Sequence, residues 1–578
     1  MSSLGKEINI LINKKKTGKG IKIGEGGFGK VYEITKVKKN GILEPLEKPF
    51  VQKQTNIFDD EGELIGQNLK EIFIGLNYFK NENTQSYQNV SVFENLDDID
   101  DSYFGINMSL ADMTFYDLIN LPFTNQQRIN LFFPLFNQIV KGLSYIHSKC
   151  VCHCDLKPEN ILVYNFYKPD KKESKEKQPK IISIAQLNEY YENAKNATLK
   201  INDYSGVNLE YNNTMDKVST IYYRPPELFQ DTHSKFKKSI KQKFGPFNDV
   251  WSVGILMLEF LYRENIINFL CKNVKKQYKI KDSKIAMVKL FNCVKSINVS
   301  SLLKLKGYDI NNEEIKHISS IIQSMICINI NDRTNLNNIL MNTKIHKNLY
   351  LDIENHLDTE DVKENLDTTL INKELRKKAI QELEKFIKDE CEENDREYLP
   401  LGLLLFDRLC CKNYFNEQRF NMRHIELMYK IHMFYCYYIS CKILLSDIYI
   451  DTITEYIYED IDNVKCSIME ILEFINFDVY RPTILTFLFN ENEDIYHTED
   501  TIKTAIDIYC NCDKINTNNE SSLDELIVKL NSRNEYFKTN NEIDIENLNC
   551  ITYVNYEKTY KIDINDKFKK PLLLRDNY

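Results

Sequence analysis

His153-Cys154-Asp155-Leu156-Lys157-Pro158-Glu159-Asn160 decides the reading of this chain, because within six positions it sets a carboxylate, an ammonium and a carboxamide. Working outward toward the N-terminus, Gly24-Glu25-Gly26-Gly27-Phe28-Gly29-Lys30-Val31 follows a β-like run from Gly20 to Ile23. Glycines let a backbone turn approach phosphates without Cβ clashes, and the backbone N–H groups then donate to phosphate oxygens. A Gly-rich hairpin turn is the plain structural alternative for that segment taken alone.

Further segments bearing charged side chains follow along the chain. In Pro49-Phe50-Val51-Gln52-Lys53 a lysine ends a strand-like run, and Glu71 in LKEIFIGL lies on a predicted helix. Asp203 stands in LKINDYSG, after an insertion over about 164 to 198. Pro226-Glu227, Asp249-Val250-Trp251-Ser252-x-Gly254 and Arg333 follow. In this order the motifs resemble the eukaryotic protein kinase family over about residues 18 to 348, with His153 to Asn160 standing where the family has H-R-D-L-K-P-E-N.

The resemblance implies roles residue by residue. Asp155 accepts the proton of the substrate hydroxyl, Lys157 neutralises charge on the transferring phosphoryl group, and Asn160 and Asp203 hold Mg²⁺. Lys53 binds the α and β phosphates with Glu71 as its ion-pair partner. Gly24, Glu25, Gly26, Gly27, Phe28, Gly29, Val31, Lys53, Met108 and Leu110 form the ATP-binding set. The implied cofactors are ATP and Mg²⁺, and the implied substrates are proteins with serine or threonine acceptors. Lys157 and Thr220 resemble serine/threonine kinases more than tyrosine kinases. The family's D-F-G reads Asp203-Tyr204-Ser205 here, and serine lacks the freedom of glycine at positive φ, which predicts a restricted backbone at 205.

Thr220-Ile221-Tyr222-Tyr223-Arg224-Pro225-Pro226-Glu227 resembles the T-x-W-Y-R-A-P-E segment of the cyclin-dependent and MAP kinase group, which implies proline-directed substrates. The arginines that gather an activation-loop phosphate in those kinases are replaced by Cys154, Lys70 and Asn208. Little guanidinium charge awaits a phosphate near Thr214 and Met215, so Thr214→Ala is expected to retain most activity.

Beyond residue 350 the texture changes. Residues 349–385 are dominated by charge and read as a linker, ending in an amphipathic helix marked by Leu375, Ala379, Leu383 and Phe386. Pro400 starts a helix with Leu401, Leu404, Leu405, Arg408 and Leu409 on one face, and Leu427 to Leu445 is apolar on nearly all sides, as in a central buried helix. Here LGLLLFDRLCCK, YYISCKILLSD and IMEILEFINFDVYRPTILTFL resemble three ordered helices of cyclins, over about 386 to 490. By that resemblance Lys442 and Glu470 contact the kinase near the helix that bears Glu71. Exposed charges on a helical bundle are the plain alternative.

The expected architecture is an α+β two-lobed protein kinase fold followed by an all-α cyclin-like helical domain. Residues 1–17 form an N-terminal leader, 18–348 the kinase domain with its small lobe reaching about 115, 349–385 the linker and 386–490 the cyclin-box-like domain. The role of 491–578 is unread. The expected function is a serine/threonine kinase activated in cis by its own cyclin-like domain. A scaffold that has lost catalysis, and a kinase whose helical region binds an external partner, are the alternatives.

Composition narrows the classes. At 578 residues and 43% hydrophobic content the chain can build several cores. A net charge of −9 predicts neither direct nucleic-acid binding nor attraction to anionic lipid. The fifteen cysteines are scattered, without metal-site spacing or histidine partners, which suggests reduced thiols. MSSLGKEINILINKKK holds only a short apolar stretch, and no run of eighteen apolar residues occurs. A soluble, unsecreted protein of the cytoplasm or nucleus is expected. The one low-complexity stretch, KPDKKESKEKQPK from Lys168, suits a solvated loop.

Overall fold

Strands β1 (Gly20–Gly26), β2 (Gly29–Lys39) and β3 (Ile42–Asn56) run antiparallel, and β4 (Asn89–Phe93) and β5 (Tyr103–Ser109) complete a five-stranded sheet in the order β1-β2-β3-β5-β4. Val31 pairs with Lys53 across β2 and β3. Side chains alternate across a strand, so Gln52 and Lys53 face opposite ways. Buried Gln52 donates to Asn107 of β5 at 3.0 Å, which fixes the level of Lys53 against the strand carrying Met108.

This computed structural model describes residues 20–480, apart from 27–28, 40–41, 57, 60, 80, 94–102, 149–150, 167–182, 210–219, 229–245, 282–284, 287–296, 335, 337–338, 340–369, 392, 416–421 and 445–447. Gly27, Phe28, Thr214, Met215, the leader, the lysine-rich stretch from Lys168 and the segment 491–578 lie outside the described residues.

By packing, the chain divides into two units. The first comprises Met1–Gln54, Ile74–Ser91 and Gly105–His356; the second comprises Thr55–Phe73, Val92–Phe104 and Leu357–Tyr578. Helix α1 (Gly66–Phe73), which bears Glu71, therefore packs in the same unit as the C-terminal helices.

In the first unit, helices α2 (Asn125–Ser148) and α3 (Pro246–Tyr262) pack together, and Asn248 through Tyr262 are all buried. Strand Ile161–Tyr164 pairs antiparallel with Thr198–Ile201, Ile161 opposite Ile201. That register brings the ends of two loops side by side, and Asn202 N donates to Asn160 O at 2.8 Å. The insertion between these strands holds a helix, Ile184–Asn196, started by a capping box of Ser183 and Gln186. Tyr191 fastens it to α2, its hydroxyl accepting from Asn130 at 3.0 Å.

In the second unit, α4 (Lys373–Glu390), α5 (Leu399–Cys411), α6 (Met422–Ile443), α7 (Ile450–Ile457) and α8 (Ile461–Phe474) surround α6 as the central helix. Leu375, Ala379, Leu383 and Phe386 of α4 are buried, and Phe386 meets Phe434 edge-on at 5.3 Å. The end of the charged stretch 349–385 is thus core-forming helix from Lys373 onward, because its apolar stripe finds α6 to pack against. Arg376 bridges α4 to Asp407 of α5 with two bonds, 2.6 and 2.9 Å, and Arg408 pairs with Asp478 at 2.7 Å. Buried pairs of this kind add little net stability against their desolvation cost, but breaking one leaves a charge unpaired.

Candidate active site

The loop His153–Asn160 is held from beneath by one carboxylate. Asp249, fully buried at the start of α3, accepts from His153 N and Cys154 N, both at 2.8 Å, and lies 2.9 Å from His147 Nε2. Cys154 adopts φ +63° to present its amide there.

Asp155 gathers four donors. Thr220 N and Oγ1 reach its Oδ1 at 2.7 and 2.8 Å, while Lys157 Nζ and Asn160 Nδ2 reach its Oδ2 at 2.7 and 3.3 Å. Lys157 also donates to Thr220 Oγ1 at 3.1 Å, so that hydroxyl donates to the carboxylate and accepts from the ammonium. A carboxylate has about four acceptor sites, and here each is engaged. An incoming alcohol therefore takes the place of a donor already present.

Lys53 and Asp203 form the second cluster, with Nζ 3.3 Å from Oδ1. Ser205 Oγ donates to the same oxygen at 2.9 Å. Burial pushes the Asp203 carboxyl upward, but the Lys53 ammonium, the Ser205 hydroxyl and the nearby His153 and Lys157 outweigh it and hold the group below the usual carboxylate range. Tyr204, Ser205 and Gly206 form a 3-10 turn. The left-handed residue is Asp203, at φ +66°, and Ser205 is not at positive φ. The restriction expected from serine at 205 does not arise, because the turn asks for the unusual backbone two residues earlier.

Among the described residues, Asn160 Oδ1 and Asp203 Oδ2 carry no hydrogen bond. They are hard oxygen donors of the type Mg²⁺ accepts, and Mg²⁺ usually takes only one or two protein carboxylates and keeps waters or phosphate oxygens in its remaining positions. The donor set fits the ion.

Gly24 and Gly26 lie on β1, Gly29 and Val31 on β2, Met108 is buried near the end of β5, and half-buried Leu110 follows it. Glu71 is buried on α1 in the second unit. Farther along, Arg333 grips Glu227 with two bonds, 2.7 and 3.0 Å.

In the second unit, Lys442 meets the residue that introduces α1. Its Nζ lies 2.7 Å from Glu63 Oε2, Tyr438 OH donates to the same oxygen at 2.7 Å, and Ile450 N donates to Oε1 at 2.6 Å. A Cβ added to Gly66, the first residue of α1, would overlap the Lys442 carbonyl. Lys465 stands over the ring of Phe58, 5.9 Å from its centre. Glu470 is exposed on α8 and makes no ion pair among the described residues. Sequence reasoning singled out Lys442 but missed Glu63 and Tyr438, since nothing local marks one acidic residue in Asp59-Asp60-Glu61-Gly62-Glu63 as buried.

A profile of the protein kinase domain matches residues 18–343. Among curated proteins, the mitogen-activated protein kinase mpk-1 of Caenorhabditis elegans is 29% identical over 240 residues, 41% of this chain and 43% of that protein. An Aurora kinase of Yarrowia lipolytica is 27% identical over 245 residues, 42% of this chain and 51% of the relative. Mitogen-activated protein kinase 10 of Arabidopsis thaliana is 28% identical over 244 residues, 42% and 49% of the two chains. The chain spans about half the length of these relatives. With a sheet-rich small lobe, a helical large lobe and a profile match across more than half its length, the chain belongs to the protein kinase family.

Proposed function

We propose that this protein transfers the γ-phosphate of ATP to serine or threonine hydroxyls of other proteins. The observation that carries the reading is the Asp155 carboxylate, with Lys157, Asn160 and Thr220 all bonded to it. An acceptor alcohol entering this cluster places its oxygen where Lys157 and Asp155 already meet the Thr220 hydroxyl.

As the bond from that oxygen to the γ-phosphorus forms, the bond to the β–γ bridging oxygen breaks and ADP departs. The alcohol proton passes to Asp155. Because the transition state is loose, Asp155 need not be a strong base; its main work is to aim the hydroxyl, and Lys157 meets the charge on the transferring oxygens. Asn160 and Asp203 hold Mg²⁺, which when bound neutralises the phosphate oxygens. Lys53 steadies the α and β phosphates, the strands bearing Gly24, Gly26 and Gly29 cover them, and Met108 and Leu110 border the adenine.

The Thr220 to Glu227 segment supports proline-directed substrates. Tyr223 is buried with its hydroxyl on Glu259 at 2.6 Å, and Arg224 is half-buried behind it, an arrangement that stiffens the floor beside the acceptor. For the C-terminal helices the reading is a cyclin-like domain acting in cis. What supports it is the seat of α1 on α6, where Lys442, Tyr438 and the Ile450 amide converge on Glu63. A tether converts such docking into an intramolecular event, with an effective concentration that reaches about millimolar for a linker that spans the sites. Soluble cytoplasmic or nuclear residence accords with this role.

The test is transfer from ATP with Mg²⁺ to Ser-Pro, Thr-Pro and basic peptides, by the full chain and by Asp155→Asn. Transfer lost in the variant and strongest on Ser-Pro or Thr-Pro peptides is expected. A folded wild type that transfers nothing would move the chain to the scaffold class. A chain ending near residue 350 that keeps full activity would remove the case for activation in cis.

A further inference from the structure

Asp203 is a non-glycine residue in left-handed backbone, at φ +66° and ψ +81°. Such a residue persists only where its surroundings over-determine it. Two hydroxyls that the phenylalanine and glycine of D-F-G cannot supply do so here.

Tyr204 is fully buried, its ring edge-on to Phe79 and His153 at 5.1 and 6.1 Å and tilted against Tyr87 at 6.0 Å. Its hydroxyl lies 2.7 Å from Gln85 O and 2.9 Å from Ile201 O. Those carbonyls sit on either side of the pairing between residues 84 and 201, so one proton ties the turn to two segments at once. Phenylalanine would fill the same space without that donor, and a turn that swung Tyr204 out would forfeit the bond to Gln85 O, while Ile201 O keeps the Gln85 amide at 2.8 Å. Ser205, also buried, works from the other side, its hydroxyl bonded to Asp203 Oδ1 at 2.9 Å. Hydrogen bonds to a carboxylate are among the stronger ones.

We propose that Tyr204 and Ser205 are positioning residues whose hydroxyls lock Asp203 in its metal-holding conformation before nucleotide arrives. The inference rests on the kinase reading for the word metal-holding, but the lock itself is a property of the free chain. The orientation of Asp203 is then set by the turn, and nucleotide binding need not select it from alternatives.

Amide hydrogen exchange on the full chain, free of nucleotide and metal, reads the lock directly. Tyr204→Phe should speed exchange over residues 201–207 by about tenfold, the size expected for one buried hydrogen bond, with α3 unchanged as the control for folding. Ser205→Ala should weaken binding of Mg·ADP, followed by calorimetry, by about fivefold, and Ser205→Thr should restore it. Unchanged exchange in Tyr204→Phe together with unchanged Mg·ADP affinity in Ser205→Ala would overturn the proposal. Faster exchange in a chain that transfers no phosphate would keep the lock and remove the kinase reading, so the two fail separately.

Discussion

Gly66→Ala sets two physical effects of opposite sign against each other. Alanine is the better helix former, by up to about 1 kcal/mol, so a free N-terminus of α1 would be stabilised by it. At this position, however, the new methyl would overlap the backbone carbonyl of Lys442, which cannot rotate away as a side chain could. The helix start must retreat from α6 by an ångström or more, and the bonds to Glu63, three residues earlier, stretch with it. Overpacking of this sort costs about 1 to 3 kcal/mol, which outweighs the propensity gain. Net of the propensity gain, a cost of up to about 2 kcal/mol on the docked arrangement corresponds to a shift of up to about 30-fold in its population. Peptide phosphorylation measured as kcat/KM, beside a thermal melt, reads both effects. Falling kcat/KM with an unraised Tm is expected. Gly66→Ala with wild-type kcat/KM and a higher Tm would refute the reasoning, because it would mean that α1 does not lean on the Lys442 carbonyl.

Lys442→Met leaves the Glu63 carboxylate buried with two donors in place of three, and should lower phosphotransfer about tenfold or more; Lys442→Glu with Glu63→Lys in one chain should recover part of it, and no recovery would argue against direct pairing. Arg333→Met takes two bonds from the half-buried Glu227 carboxylate, which keeps the Asn248 amide at 2.7 Å, and should cost about 3 kcal/mol in urea unfolding, whereas a loss under 1 kcal/mol would count against that account. His432, walled by Tyr414, Phe415 and Tyr435, is pushed by burial down to about 4, only partly opposed by its bond to the Met428 carbonyl. The unfolded chain then binds the extra proton first, so stability is full above about pH 6.5 and falls toward pH 4, by up to about 3 kcal/mol, and His432→Leu should flatten that acid limb in melts across the range.

The cluster around Asp155 was legible because its members are close in sequence: Asp155, Lys157 and Asn160 sit within one loop, and the structure bonds them to one another. Lys53 and Asp203 were legible from order along the chain, although the 3.3 Å pairing is set by strand register. Helices α4 to α6 announced themselves through apolar spacing; 349–385 read as a charged linker, and the stripe Leu375, Ala379, Leu383 and Phe386 marked the helix at its end, which begins at Lys373. The helix Ile184–Asn196 was read as part of a loop insertion although Ser183-x-x-Gln186 is a starting signal, because the lysine-rich run before it dominated the window. What sequence could not give were contacts between distant segments. The Glu63 seat joins residues nearly four hundred positions apart, and the reach of the Tyr204 hydroxyl to Gln85 depends on a bridge between strands that no local pattern encodes.

Asp249 carries a broader consequence. It suspends the catalytic loop by the amides of residues 153 and 154, which every amino acid except proline possesses, and so the loop hangs like a shelf from a bracket bolted to the α3 helix. The bracket grips backbone alone, and what it asks of residue 154 is the φ of +63°, which β-branched side chains meet least well. Cysteine thus stands at 154, where the resembling H-R-D-L-K-P-E-N motif has arginine, with both amide bonds to Asp249 intact and Asp155 next in line.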